Sequence, residues 1–294
     1  MAKEPAPRPG LEPGTCGLTV YRGIRLYHIV GKSYATLSRR IQSPRPHARH
    51  LSLMDILKMR LRDLDSHTIC SERDVYTELL PLANARVAEL GCGRAELTRA
   101  IAEAFPTAQI IALEVDAIQQ ERNLAITDLA NVRFIAGGAE ALPLDDDSVD
   151  LVLMFKSLHH VPTHLLDTAL QEVRRVLVPG GLAYISEPVF AGEYNEIMRI
   201  FHDEERVREA AFAVITRAVK SGALEFVTER FFSTPLRFDD FAHFEARVLG
   251  VTHTQHRLSE AQLSAVRDRF ARHITPQGVQ FLQPMRVDLL RKPV

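Results

Sequence analysis

Tryptophan is absent from this chain, and cysteine occurs three times in 294 residues, at Cys16, Cys70 and Cys92. Three thiols cannot build a disulfide framework, and none is spaced like a metal-ligand pair, so their usage points to a reducing, cytoplasmic setting. Long apolar runs are missing too. No stretch approaches the roughly 20 residues that a membrane helix needs, so no membrane partner is expected. Net charge is nearly absent, at -1, while 46% apolar and 25% charged residues describe an ordinary globular composition.

That balance conceals an asymmetry. Residues 1–62 carry twelve Lys and Arg against three Asp and Glu, which leaves the rest of the chain acidic. An acidic body argues against long nucleic acids as partners. Pro5, Pro7, Pro9, Gly10, Pro13, Gly14 and Gly17 interrupt any periodicity, and residues 1–52 read as a disordered basic extension. Within it, only Tyr21–Val30 has the pattern of a short element. Regular patterning begins near Leu53, with apolar stripes at helical spacing up to Leu82, and residues 53–294 read as one domain.

The stretch that organises this domain is Val87-Ala88-Glu89-Leu90-Gly91-Cys92-Gly93-Arg94-Ala95-Glu96-Leu97. An apolar run stops at two glycines one residue apart, and a helical pattern (Leu97, Ile101, Phe105) follows at once. This is a strand, a tight turn and a helix start, which presents backbone N–H groups to a ligand. The dinucleotide fingerprint wants a third glycine where Glu96 stands. Glu89, two residues before Gly91, repels a pyrophosphate and attracts an ammonium. A cofactor with a cationic amino-acid end therefore fits better than NAD.

On these residues the chain resembles the class I S-adenosylmethionine-dependent methyltransferases, whose first motif reads acid-x-Gly-x-Gly-x-Gly; Ala95 holds the third glycine's place. The resemblance implies S-adenosyl-L-methionine as cofactor. It also implies a Rossmann-like, doubly wound, mostly parallel seven-stranded sheet with helices on both faces. Strands at 109–115, 132–135, 149–155 and 182–186, alternating with helices, agree with such a sheet, and ligands on it sit at the carboxyl ends of the strands. Two final strands, at 226–238 and 279–290, would complete it in antiparallel pairing. A helical insertion at about 192–221 is expected as a lid, with Tyr194 and His202 as lining candidates.

Carried onto this sequence, the family pattern implies cofactor binding by Glu89, Gly91 and Gly93. It places Glu114, at the end of the second strand, on the two ribose hydroxyls. The segment Gly137-Gly138-Ala139-Glu140-Ala141-Leu142-Pro143 resembles a family segment whose Asp holds the adenine amino group. Gly138 stands in that position, which shifts the task to the Ala139 backbone N–H, to stacking, or to a re-aimed Glu140. Phe155, ending the fourth strand, joins the cofactor-binding set.

After Phe155 comes Lys156-Ser157-Leu158-His159-His160-Val161-Pro162, where amino-group methylators of nucleic acids carry Asn/Asp-Pro-Pro-Tyr. Leu-His-His-Val instead looks like the small-molecule branch, so a small-molecule acceptor is expected. His160 is the candidate general base, oriented by Glu187 at the end of the fifth strand. His159, His160 and His164 show no recognisable ligand spacing with Cys or acids, and no metal site is expected. Two other readings stand beside methyl transfer: a non-catalytic S-adenosylmethionine-binding protein of this fold, and a nicotinamide-dependent oxidoreductase. The acceptor atom and the oligomeric state are not legible.

A chain starting at Met54 is expected to melt within a few degrees of the full chain, because the deleted residues offer no periodic apolar face. A drop of about ten degrees or more in a thermal melt would show that Tyr21–Val30 packs on the domain.

Overall fold

The computed structural model describes residues 59–63, 65–251 and 256–294. The expected basic extension at 1–52, the element at Tyr21–Val30 and the start of the first helical stripe (Leu53, Ile56, Leu57, with Leu64) lie outside the described residues. Residues 59–63 and 65–70 are not helical; Ile69 instead makes an isolated bridge to Ser233. The first described helix is α1, Glu72–Leu79, opened by a capping box between Ser71 and Asp74.

Five short parallel strands follow: β1 Arg86–Leu90, β2 Gln109–Glu114, β3 Val132–Ala136, β4 Val149–Phe155 and β5 Leu177–Pro188. Between them run α2 Glu96–Ala104, α3 Ala117–Leu124 and α4 Leu166–Val176. β1 and β4 are buried on both faces, as parallel strands sandwiched by helices must be. The sheet order is β3-β2-β1-β4-β5-β7-β6, with β7 Val279–Arg291 and β6 Glu225–Phe238 antiparallel. The doubly wound seven-stranded sheet read from the sequence is the observed architecture. Strand order reverses between β1 and β4, and a ligand crevice opens at such a point.

The fifth strand begins earlier than its apolar core suggests. Pro179, Gly180 and Gly181 bulge out between the pairings Val149↔Leu177 and Leu151↔Leu182 rather than ending a separate turn. The insertion after β5 divides into α5 Glu193–Met198 and α6 Glu205–Lys220. One face of α6 (Ala211, Val214, Ile215, Val219) is buried with Leu166, Leu170 and Val173 of α4 in the main core. α6 thus belongs to the packed helical layer.

β6 and β7 outrun the sheet. β7 pairs with β5 only from Met285 onward, so the Val279–Pro284 half projects past the carboxyl end of β5, paired with β6 alone. The projecting ribbon has its own core of Phe238, Phe244, Phe270, Phe281, Val266 and Ile197. These come from both strands, from α5, from a short helix α7 Phe241–Phe244 that runs into a π turn, and from α8 Glu260–Ala271. α8 starts with the Ser259/Gln262 capping box expected from the sequence.

Phe270 is fully buried in this satellite core, with ring centroids 5.1–6.1 Å from those of Phe244, Phe241, Phe281 and Phe238. Phe270→Ala should cost about 3–5 kcal/mol of unfolding free energy, measured by urea denaturation. A loss under about 1 kcal/mol, typical of a surface change, would show that the aromatic cluster does not hold the ribbon.

Candidate active site

The glycine turn sits at the reversal of strand order. Gly91 has φ +74°, and a Cβ there would lie 2.7 Å from the Ser157 Cβ, so the ends of β1 and β4 approach too closely for a side chain. Ser157 Oγ donates to Leu90 O at 2.6 Å and ties the two strand ends together. Ala95 is left-handed at φ +58°, the conformation a third glycine would take freely.

The N–H groups of this turn face inward. Gly91 N–H and Cys92 N–H both donate to Leu113 O at 2.9 Å, and Gly93 N–H donates to Glu114 Oε2 at 2.7 Å. Little of an anion cradle remains, in contrast to the exposed N–H groups expected from the sequence. Glu114 also accepts from Val115 N–H and Asp116 N–H at 2.8 and 2.9 Å, which fixes its carboxylate at the strand end. Glu89 is buried and accepts from Thr98 Oγ1 at 2.7 Å. Burial pushes its carboxyl up to about 7 against the pull of that hydrogen bond, with the Glu114 charge adding to the rise. Two carboxylates therefore flank the turn, where a pyrophosphate would be repelled and a cation held.

At the end of β3, a Cβ added to Gly138 would lie 2.6 Å from Glu140 Cδ. The Glu140 carboxylate has folded back into the space that an aspartate side chain at 138 would take. Ala139 lies half-buried against the main core. The Phe155 ring is spent in packing, 5.9 Å from Tyr76 and 5.5 Å from Tyr184 between centroids.

The ends of β4 and β5 carry the densest polar chemistry. Lys156 leaves β4 with φ +56°, and its N–H donates to Ser186 O at 2.7 Å. Residues Leu158–His160 then form a single 3-10 turn. The imidazole that Glu187 orients is His159, a correction to the pairing expected for His160: Glu187 Oε2 bonds His159 Nδ1, and Oε1 accepts from Leu158 N–H at 2.9 Å. With about three residues per turn, neighbours diverge by a third of a revolution. His159 accordingly turns inward and is buried, and His160 is exposed. Their rings remain 4.1 Å apart between centroids.

Glu204, just before α6, completes the group. Its Oε1 lies 3.6 Å from His159 Nε2 and 2.8 Å from His202 Nε2, and Arg208 holds Oε2. Burial opposes charge on His159, but Glu187 and Glu204 overcome it and hold the imidazolium up to about 9. Burial likewise opposes the Glu187 carboxylate, and His159 and Arg286 hold it below the usual range. Arg286, opposite Glu187 in the ladder, donates to Asp288 at 2.8 Å.

Residues 87–181 match the model of a methyltransferase domain family. Over that segment the chain is similar to methyltransferases. Over 103 residues the chain is 38% identical to an uncharacterized methyltransferase of Mycobacterium tuberculosis, covering 35% of this chain and 40% of the relative. It is 30% identical over 142 residues to a demethylmenaquinone methyltransferase of Staphylococcus carnosus, covering 45% and 56%. The chain thus spans about half or less of the length of these curated relatives. Its fold matches the YcgJ protein of Bacillus subtilis (TM-score 0.54, 19% identity, 76% of this chain and 97% of that one). It matches a methyltransferase-like structure from Bacillus halodurans to the same TM-score, at 15% identity over 76% and 100%.

Several residues of the site escaped sequence reading. Asn123 is fully buried on α3 and donates to Gly93 O at 2.8 Å, bracing the glycine turn from 30 residues away. Glu204 and Arg208 follow His202 closely; the His-x-Glu spacing was the available signal. Tyr194, a lining candidate, instead packs with Phe238 and Phe281 in the ribbon core.

The Glu89 carboxyl generates a pH prediction. An acid whose folded pKa (about 7) exceeds its ordinary value of 4.5 contributes stability below pH 4.5 that is lost as pH rises toward 7. Glu89→Gln, which stays neutral, should therefore gain in melting temperature relative to the parent between pH 4.5 and 7.5. A difference that stays flat across this range would show that Glu89 ionises normally in the fold.

Proposed function

We propose that the protein binds S-adenosyl-L-methionine across the glycine turn and transfers its methyl group to a small-molecule acceptor. The observation that carries the reading is the pair of carboxylates, Glu89 and Glu114, set on adjacent strands around a turn whose N–H groups are already spent. Glu89 suits the ammonium of the cofactor's amino-acid end, and an ammonium beside it draws its carboxyl back toward ionisation. Glu114, locked by three backbone donors, keeps accepting capacity at Oε2, which the two hydroxyls of a ribose diol can share. Glu140, folded into the space at Gly138, is the group suited to the adenine amino edge.

The acceptor side supports a small molecule. The β6–β7 ribbon projects past the end of β5, and the sequence beyond residue 62 is acidic. Methyl transfer from a sulfonium is an in-line displacement, so the protein contributes mainly alignment and exclusion of water. Where the acceptor carries a proton, the exposed His160, beside the imidazolium of His159, is the group suited to take it.

Calorimetry with S-adenosylhomocysteine tests the cofactor assignment. The parent should bind it and not NAD, and Glu114→Ala should bind about 10- to 200-fold more weakly, through the loss of charge-assisted bonds to two hydroxyls. Unchanged affinity in a folded Glu114→Ala protein, or NAD binding by the parent, would overturn it.

A further inference from the structure

The side chains at the ends of β4 and β5 have a feature that proton transfer alone does not require. One ligand atom each from His159, His160 and Glu204 lies within 4.8 Å of the others. His159 Nε2 and Glu204 Oε1 are 3.6 Å apart, too far for a good hydrogen bond. That separation is close to the edge of a tetrahedron with metal–ligand bonds of about 2.0–2.1 Å. We propose that His159, His160 and Glu204 form a binding site for a divalent transition-metal ion of the zinc class.

Two imidazoles and one carboxylate are a borderline nitrogen and oxygen donor set, which suits zinc and its neighbours rather than magnesium or calcium. The surrounding contacts are those that such ligands require. A metal-bound histidine donates its other ring N–H to a carboxylate, and His159 Nδ1 does so to Glu187, so that Nε2, giving up its proton to solvent as the metal binds, is the ligand atom. The ligating carboxylate is also held from outside: Arg208 bonds Glu204 Oε2, and His202 Nε2 lies 2.8 Å from Oε1. Glu204 is thereby fixed to present one oxygen. Buried His159 and Glu204 come from the turn after β4 and the start of α6, and His160 is exposed, so three protein ligands leave a fourth position accessible.

The site was invisible in the sequence because Glu204 follows His160 by more than 40 residues, and only the fold brings it beside the histidines. That the three side chains bind an ion does not depend on the methyl-transfer reading. That its open position takes the acceptor's oxygen or nitrogen, and lowers that group's pKa, rests on the function proposed above.

The test uses the full chain, stripped with a chelator and titrated with Zn²⁺ against a chromophoric competitor, and with Co²⁺ by visible absorption. One ion per chain is expected, with the intense band of four-coordinate Co²⁺. His159→Ala, Glu204→Gln and His160→Ala should each weaken binding by at least about 100-fold, and Glu187→Gln by about 10–100-fold. His164→Ala and His243→Ala, outside the cluster, should leave it unchanged. The exposed His160 keeps the test sound should the buried variants fail to fold. Absence of stoichiometric binding, or binding unaltered in folded His160→Ala, would overturn the site. S-adenosylhomocysteine calorimetry on the stripped protein separates the two proposals, since cofactor binding without metal binding removes only this one.

Discussion

Charge buried at the end of a β-strand has to be compensated, and that requirement shapes the carboxyl edge of this sheet. Glu89, Glu114, Glu187 and Asp288 are all buried on neighbouring strands. Each unpaired would cost several kcal/mol. Each has found a different answer: a threonine hydroxyl, three backbone N–H groups, an imidazole with a backbone N–H, and a guanidinium. The partners come from α2, from the turn after β1, from the 3-10 turn after β4, and from β7. The polar edge therefore draws together elements that the apolar core alone would not hold in register.

The sheet divides this edge into two halves of different chemistry. On the β1–β2 side the charges are carboxylates without cationic partners, and Glu89 yields to burial by holding its proton up to about 7. On the β4–β5 side, carboxylates and cations alternate through Glu187, His159, Glu204 and Arg208. One half is built to receive a positive charge, and the other is already neutralised and organised. A cofactor carrying a cationic amino-acid end and an acceptor needing a base or a Lewis acid would meet across the gap between β1 and β4. Gly91 and Ser157 keep that gap narrow.

The ribbon beyond the sheet adds a further layer. Its phenylalanine core is separate from the main core, so it stands on packing of its own. α5 contributes Ile197 to that core while α6 packs on α4, and the link between them carries His202 and Glu204. The segment read from sequence as one lid thus joins two cores, with the polar cluster at the joint.

Much of the domain was legible from local pattern. Strand–turn–helix punctuation at Gly91 and Gly93, alternating apolar segments and the Ser259/Gln262 box depend on neighbours within a few residues, and these determined the sheet and its glycine turn. The acid ending β2 was found by its distance from the glycines, because a crossover of fixed construction sets that interval. Tertiary structure alone decided what buried side chains do with their charge. A 3-10 turn chose His159 over His160 for Glu187, and the fold-back of Glu140 filled the space left at Gly138. Glu204 reached His159 across the β5–α6 connection. Such pairings depend on where distant backbone segments meet and on which side chain each turn aims inward, and no spacing within the sequence encodes them.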